Sequence, residues 1–152
     1  MRYRVVAVGK LKSAFYREAC EHYLKRLGPL ATCEVIEVRE AREADVEATK
    51  LAEGAALLAK VQGLSVALDE HGRTLDTRAL ARRVSALENR GVSQATILVG
   101  GAEGHGRDLL GAVDETWSLS PLTLPHDLAR LVLLEQLYRI ETLRTGHPYH
   151  RG

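Results

Sequence analysis

Aromatic residues are scarce in this chain, with one Trp, one Phe and five Tyr among 152 residues. A core of ordinary size must therefore be aliphatic, built from Leu, Val and Ala. Cysteine is scarce too. Cys20 and Cys33 fit no C-x-x-C ligand spacing, so they read as two reduced thiols and not as a metal site. Long apolar runs are missing, and none approaches the ~20 residues of a membrane span. The opening "MRYRVVAVGK" is a charged start to a strand and has no leader pattern. The expectation is a soluble, cytoplasmic protein with no membrane and no metal among its partners. Both common phosphate loops are absent, G-x-x-x-x-G-K-[ST] and G-x-G-x-x-G, as is the G-x-S-x-G elbow of a hydrolase.

What is present suits one compact domain, 1–152. The chain is 45% hydrophobic, enough for a core without staples. The net charge is only +1, so the field of the whole molecule steers neither RNA nor a membrane strongly. Charge is nevertheless uneven. Residues 1–26 hold seven Lys/Arg against Glu18 and Glu21, whereas residues 34–53 hold seven acids against Arg39, Arg42 and Lys50.

Apolar periodicity predicts strands at 3–9, 33–38, 64–69 and 94–101. It predicts helices at 13–28, with Ser13 able to cap and Gly28-Pro29 to stop it, at 44–61, from Asp76 or Thr77 to Gly91, and at 127–144. Alternating strands and helices argue for an α/β fold with a largely parallel sheet flanked by helices. Ligands in such sheets sit at the carboxyl ends of strands, which points to the loops after Leu68, after Val99 and after the next extended stretch. The last helix, "DLARLVLLEQLYRIETLR", has an apolar stripe too wide for one contact with a sheet. Either its own domain buries it on two sides, or it also meets its copy in a homodimer.

Three segments carry possible chemistry. "LVGGAEGHG" (98–106) is a glycine-rich turn with no Lys or Arg between Gly100 and Gly106. It is either a plain tight turn or a cradle for a nucleoside-like ligand without phosphates. "SLSPLTLPHDLAR" (118–130) cannot be regular helix before Pro125, so 119–124 is irregular. Its amides and carbonyls need partners, either within an ordinary ordered loop or from a flat ring such as adenine. "HPYHR" (147–151) is an unusual chain end. His147-Pro148 does not fit inside a helix, which argues against a metal-binding histidine pair. It is either a frayed tail or an RNA-handling one, in which Tyr149 stacks, Arg151 grips phosphate and a histidine moves a proton. His22, His71 and His105 join no constellation and read as surface residues.

Taken together, "LVGGAEG", "WSLSPLTLPHDLARLVLLEQLYR" and "TGHPYHR" resemble the ribosomal RNA large subunit methyltransferase H family, of the knotted SPOUT class. The resemblance runs from "VAVGK" to "HPYHR", and the C-terminal third is its specific part. Ala102 departs from the family's GGPEG. The resemblance implies a C-terminal trefoil knot and a homodimer. It also implies S-adenosylmethionine as cofactor, held by Leu68, Gly100, Leu119, Ser120, Pro121, Leu122, Thr123 and Leu124. The implied substrate is a pseudouridine of 23S rRNA within the 70S ribosome, methylated on N3. N3 carries a proton that must leave, so a base or an anion-stabilising group is needed. On this reading the tail supplies the catalytic residues, His147, Tyr149, His150 and Arg151, and closes over an extruded base. Lys10, Lys12 and Arg17 are expected to meet RNA phosphates, and His126 to hold its loop rigid. The rival expectations are an RNA-binding protein without turnover and a methyltransferase acting on tRNA.

Overall fold

Five extended segments, rich in β-branched and aliphatic residues, pair into one sheet in the computed structural model. They are β1 (Arg2–Val8), β2 (Cys33–Val38), β3 (Leu64–Thr74), β4 (Gln94–Val99) and β5 (Glu115–Ser118). The structure describes residues 1–151. The side chains of His150 and Arg151, and residue 152, lie outside the described residues. The strand order is β2-β1-β4-β3-β5, and every neighbouring pair is parallel. All carboxyl ends therefore lie along one edge.

Side chains alternate across the sheet and feed two cores. Tyr3, Val5 and Ala7 point to one face with Val66, Ile97 and Trp117, while Val6 and Val8 point to the other with Ala67 and Leu98. Strands covered on both faces need near-continuous apolar sequence, and "VVAV" and "ATILV" have it. Helices α1 (Ala14–Leu27), α3 (Thr77–Asn89) and α5 (His126–Thr145) cover the first face. Helices α2 (Val46–Leu58) and α4 (Arg107–Ala112) cover the second. Asp45 and Asp76 cap α2 and α3 by accepting the N–H groups of Ala48 and Ala79, each at 2.7 Å. Ser13 occupies the N-cap position of α1 but makes no side-chain cap bond.

Other departures from the sequence expectation are local. Helix α2 is shorter at both ends than 44–61. Strand β3 does not stop at Asp69. It bulges between Leu68 and Arg73, both of which pair with Trp117 of β5. The segment after Leu68 is thus a bulge held inside an edge pairing and not an open loop. Helix α4 has no counterpart in the apolar periodicity, and strand β5 supplies the further extended stretch expected after Val99, whose bounds the periodicity did not mark. At six and four residues they are too short to show a period.

Helix α5 lies between α1 and α3. Leu133, Leu134, Leu137 and Ile140 are fully buried, so burial within one chain accounts for the centre of the wide stripe. Leu128, Leu131, Val132 and Leu143 are half-buried on its margins. Arg130 is buried as well. Its Nη1 meets Glu37 Oε2 at 2.6 Å, and its Nη2 donates to the Gly9 carbonyl at 2.8 Å. One guanidinium thereby ties the start of α5 to the carboxyl ends of β1 and β2. Removing one partner of a fully buried pair costs ~3–5 kcal/mol. Glu37 keeps contact with water, so Arg130→Ala is expected to cost about 2 kcal/mol by urea denaturation. An unchanged midpoint would show that the pair contributes nothing.

Candidate cofactor cleft

A cleft of about 610 Å³ opens at the carboxyl edge of the sheet, within the size range of small-molecule sites. Three segments wall it: 68–70 from the β3 bulge, 99–105 after β4, and 118–126 after β5. Of the residues expected to hold the cofactor, Leu68, Gly100, Leu119, Ser120, Leu122, Thr123 and Leu124 line it. Pro121 is the exception. It is exposed and stands off the cleft wall.

The glycine segment is shaped by close approach. A Cβ on Gly100 would lie 3.1 Å from the Gly104 carbonyl carbon and 3.3 Å from His105 Cε1. Gly104 N–H donates to the Gly101 carbonyl at 3.0 Å, closing a four-residue turn. Ala102 takes the second position of that turn, where proline is favoured but not required. The departure from GGPEG therefore leaves the turn closed.

His105 is a correction. It was expected at the surface but is buried, with Nε2 3.1 Å from the Leu98 carbonyl. Nε2 must carry the proton to make that bond. Burial pushes its pKa below the usual value, and the Leu98 bond opposes this only in part. Its position among glycines hid it, since no periodicity marks a buried histidine there.

The irregular loop satisfies part of itself. Ser118 Oγ donates to the Ser120 carbonyl at 2.9 Å, and Ser120 Oγ accepts the Leu122 N–H at 2.9 Å. Thr123 donates to Glu70 at 2.6 Å and fastens the loop to the β3 bulge. His126 lines the cleft and faces Asp127, with Nε2 3.3 Å from Oδ1, at the start of α5. The charges that line the cleft are the carboxylates of Asp69, Glu70 and Glu103, and no Lys or Arg is among the lining residues.

The tail lies elsewhere. Helix α5 ends at Gly146, whose φ of +77° suits glycine. A 3₁₀ turn, Pro148–Arg151, follows. Tyr149 packs against Tyr138 with ring centroids 4.5 Å apart. Tyr138 stands twelve residues beyond His126, roughly 18 Å along the helix. Within one chain the tail and the cleft are therefore not brought together. His147 is exposed, and its Nδ1 accepts the Tyr149 N–H at 3.2 Å. Burial and nearby Tyr23 and Glu135 push the Tyr149 phenol up to about 12, so it stays protonated at neutral pH. His150 and Arg151 were also expected to act here, but their side chains lie outside the described residues.

Two basic residues of the β1–α1 loop, Lys10 and Lys12, are exposed. Arg17 is committed locally, its Nη1 donating to the Leu11 and Lys12 carbonyls at 3.0 and 2.9 Å. Cys20 and Cys33 are free thiols whose pKa values burial raises, Cys33 to about 12. Among the described residues no group of His, Cys, Asp and Glu is arranged to hold a metal. No described helix is long and apolar enough to cross a membrane.

Residues 1–150 match the family described as "Predicted SPOUT methyltransferase". This chain belongs to the SPOUT methyltransferase family. Three relatives carry the name ribosomal RNA large subunit methyltransferase H. A protein of Thermus thermophilus is 47% identical over 99% of both chains. That of Anaeromyxobacter sp. strain K is 46% identical over 99% of this chain and 100% of its own. That of Gloeobacter violaceus is 43% identical over 100% of both. The fold recurs in a solved structure titled as a probable methylase family protein from Haemophilus influenzae. It has a TM-score of 0.55 at 14% identity, over 98% of this chain and 68% of that one. A SPOUT methyltransferase needs a pocket for its methyl donor, and the cleft is made by the same glycine and serine-proline segments that carry the family resemblance.

His105 makes the cleft pH-sensitive in a defined direction. The unfolded chain takes up a proton near pH 6.5 and the folded chain only at lower pH, so folded stability falls as pH drops through 6.5. His105→Leu should cost about 1 kcal/mol at pH 8 through the lost Leu98 bond. In urea titrations that gap should narrow as pH falls below about 6.5. A gap that widens would mean a charged His105 in the folded state.

Proposed function

We propose that this protein transfers a methyl group from S-adenosylmethionine to N3 of a pseudouridine in 23S rRNA. It would act in the cytoplasm, on the assembled 70S ribosome, as a homodimer of one-domain chains. The observation that carries the cofactor assignment is the charge of the cleft. A nucleotide with phosphates would want a cation, and the lining offers only carboxylates and two histidines. A sulfonium beside an ammonium group suits Asp69, Glu70 and Glu103 instead. The glycine backbone at 100–101 and the loop 119–124 offer peptide groups to an adenine ring, and Leu68, Leu119, Leu122 and Leu124 offer apolar contact. The residues present therefore fit the cofactor. A C-terminal trefoil knot is part of the same reading, and the segment that carries the chain from edge strand β5 back to α5 is the one that would thread.

When bound, the cofactor supplies an electrophilic methyl group. The protein has to hold it in line with N3, exclude water and deal with the N3 proton. The tail holds the groups suited to that proton, but it sits at the far end of α5 from its own cleft. A second copy with α5 antiparallel sets the tail of one chain beside the cleft of the other. Phe15 and Leu122, both exposed and both following carboxyl ends of strands, give that end apolar surface for a partner. His147 engages Nδ1 with a backbone N–H, which puts its neutral-ring proton on Nε2. His150 is then the better base and Arg151 the group for the imide oxygen or a phosphate. Lys10 and Lys12 would contact RNA phosphates, with Arg17 bracing their loop.

The direct check is labelled S-adenosylmethionine with 70S ribosomes that lack the methyl group. Label on N3 of one 23S pseudouridine is expected, with free rRNA fragments much poorer substrates. Bound cofactor without transfer would mean a binding protein, and label on tRNA a different substrate. Gly100→Ala should weaken cofactor binding by about tenfold in calorimetry, because the new methyl has to displace the 104–105 segment. Unchanged affinity would move the cofactor away from this turn.

A further inference from the structure

The sequence suggested that Tyr149 stacks on a base, but its surroundings are already taken. The Arg139 guanidinium carbon lies 4.8 Å from the ring centroid and that of Arg26 lies 5.4 Å away, both within cation–π range. Tyr138 packs at 4.5 Å with its plane tilted by 58°. The hydroxyl is 3.4 Å from Glu135 Oε2, and Tyr23 stands beside it. The partners are themselves fixed. Arg139 Nε donates to Glu135 Oε2 at 3.0 Å, and Arg26 also sits 5.1 Å from the Tyr138 ring.

The backbone leading to Tyr149 is folded to deliver it there. Gly146 turns the chain, the His147 N–H returns to the Thr142 carbonyl at 2.8 Å, and the Tyr149 N–H closes on His147. Stacking on a base would exchange two cation–π contacts for one stacking contact.

We propose that Tyr149 is a positioning residue, a pin set between Arg26 of α1 and Arg139 of α5 that fixes where the last residues of the tail reach. Two residues beyond the pin span at most ~7 Å, so His150 and Arg151 are confined to a small volume around it. The cost of ordering the tail is thus met before RNA arrives, which favours the chemical step over substrate affinity. The inference rests on the methyltransferase reading for its consequence but not for its geometry.

The test uses the full-length protein with two readouts. Hydrogen exchange of the 147 and 149 amides, measured without RNA, reports the pin directly. Arg26→Ala should speed that exchange by about tenfold, and Tyr149→Leu at least as much. Steady-state kinetics on 70S ribosomes reports the consequence. Tyr149→Phe should stay within about threefold of the parent, because the ring contacts remain. Tyr149→Leu should lower kcat by about thirtyfold with KM for ribosomes within threefold. Adding Arg26→Ala to Tyr149→Leu should then cost little more, since both remove one interaction.

A base-stacking Tyr149 predicts the reverse. Tyr149→Leu would raise KM, Arg26→Ala would leave exchange unchanged, and the two effects would multiply. Either the exchange result or the KM result overturns the pin. Failure of the parent protein to methylate any RNA would overturn the methyltransferase reading and leave the exchange result standing. If Tyr149→Leu does not fold, Arg26→Ala alone decides.

Discussion

Helix α5 buries Leu133, Leu134, Leu137 and Ile140 between α1, α3 and the sheet, and that seating governs both ends of the molecule. Its first turn lines the cleft, and its last turn supports the tail. The parallel sheet beneath it needs cover on both faces, because none of its inner strands has a polar side to show to water. The position of the helix along the sheet is set by polar contacts at each end. Arg130 grips Glu37 and the Gly9 carbonyl near the carboxyl edge. At the amino edge Tyr3 donates to Glu141 at 2.7 Å, and Arg144 bridges Glu141 and Glu88, which also holds the N-terminal ammonium. A helix fixed at both ends cannot slide, so the distance between cleft and tail is a property of the fold.

The cleft presents backbone and carboxylates, and no Lys or Arg, to whatever it holds. Glycine at 100 lets main chain pack against main chain, and the self-satisfied serines at 118 and 120 keep an irregular loop ordered without secondary structure. Thr123 and Glu70 tie two of the three walls together. His105 is spent on structure, as its proton goes to the Leu98 carbonyl. On the proposed reading, a site built this way would favour a cationic, phosphate-free ligand by the sign of its field and would need no residue that reacts.

If the tail residues are the reactive ones and the cleft holds the methyl donor, keeping them apart in one chain has a clear logic for a small enzyme. If the pocket of one copy is completed by the tail of another, the site forms only in the assembled dimer, and two copies of a basic loop face the RNA at once. The clamp on Tyr149 then matters because a loose tail would have to be ordered anew at each turnover.

The sequence alone determined the fold class and the location of the cleft. Long aliphatic strands followed by capped helices leave few arrangements other than a parallel sheet, and ligands collect at the carboxyl ends of such sheets. The glycine run at 100–106 and the proline-broken stretch at 118–125 were visible because Gly and Pro constrain backbone without help from neighbours. Seven of the eight residues that the family resemblance named for the cofactor line the cleft. What depends on partners far away in sequence was not legible. The bulge in β3 needs Trp117, the burial of His105 needs the Leu98 carbonyl, and Arg17 spends its Nη1 on the carbonyls of its own loop. The tail is the clearest case. Its composition reads as RNA-binding, yet only the packed structure decides that the Tyr149 ring lies between Arg26 and Arg139, because cation–π contact is a matter of distance between helices that the chain order does not contain.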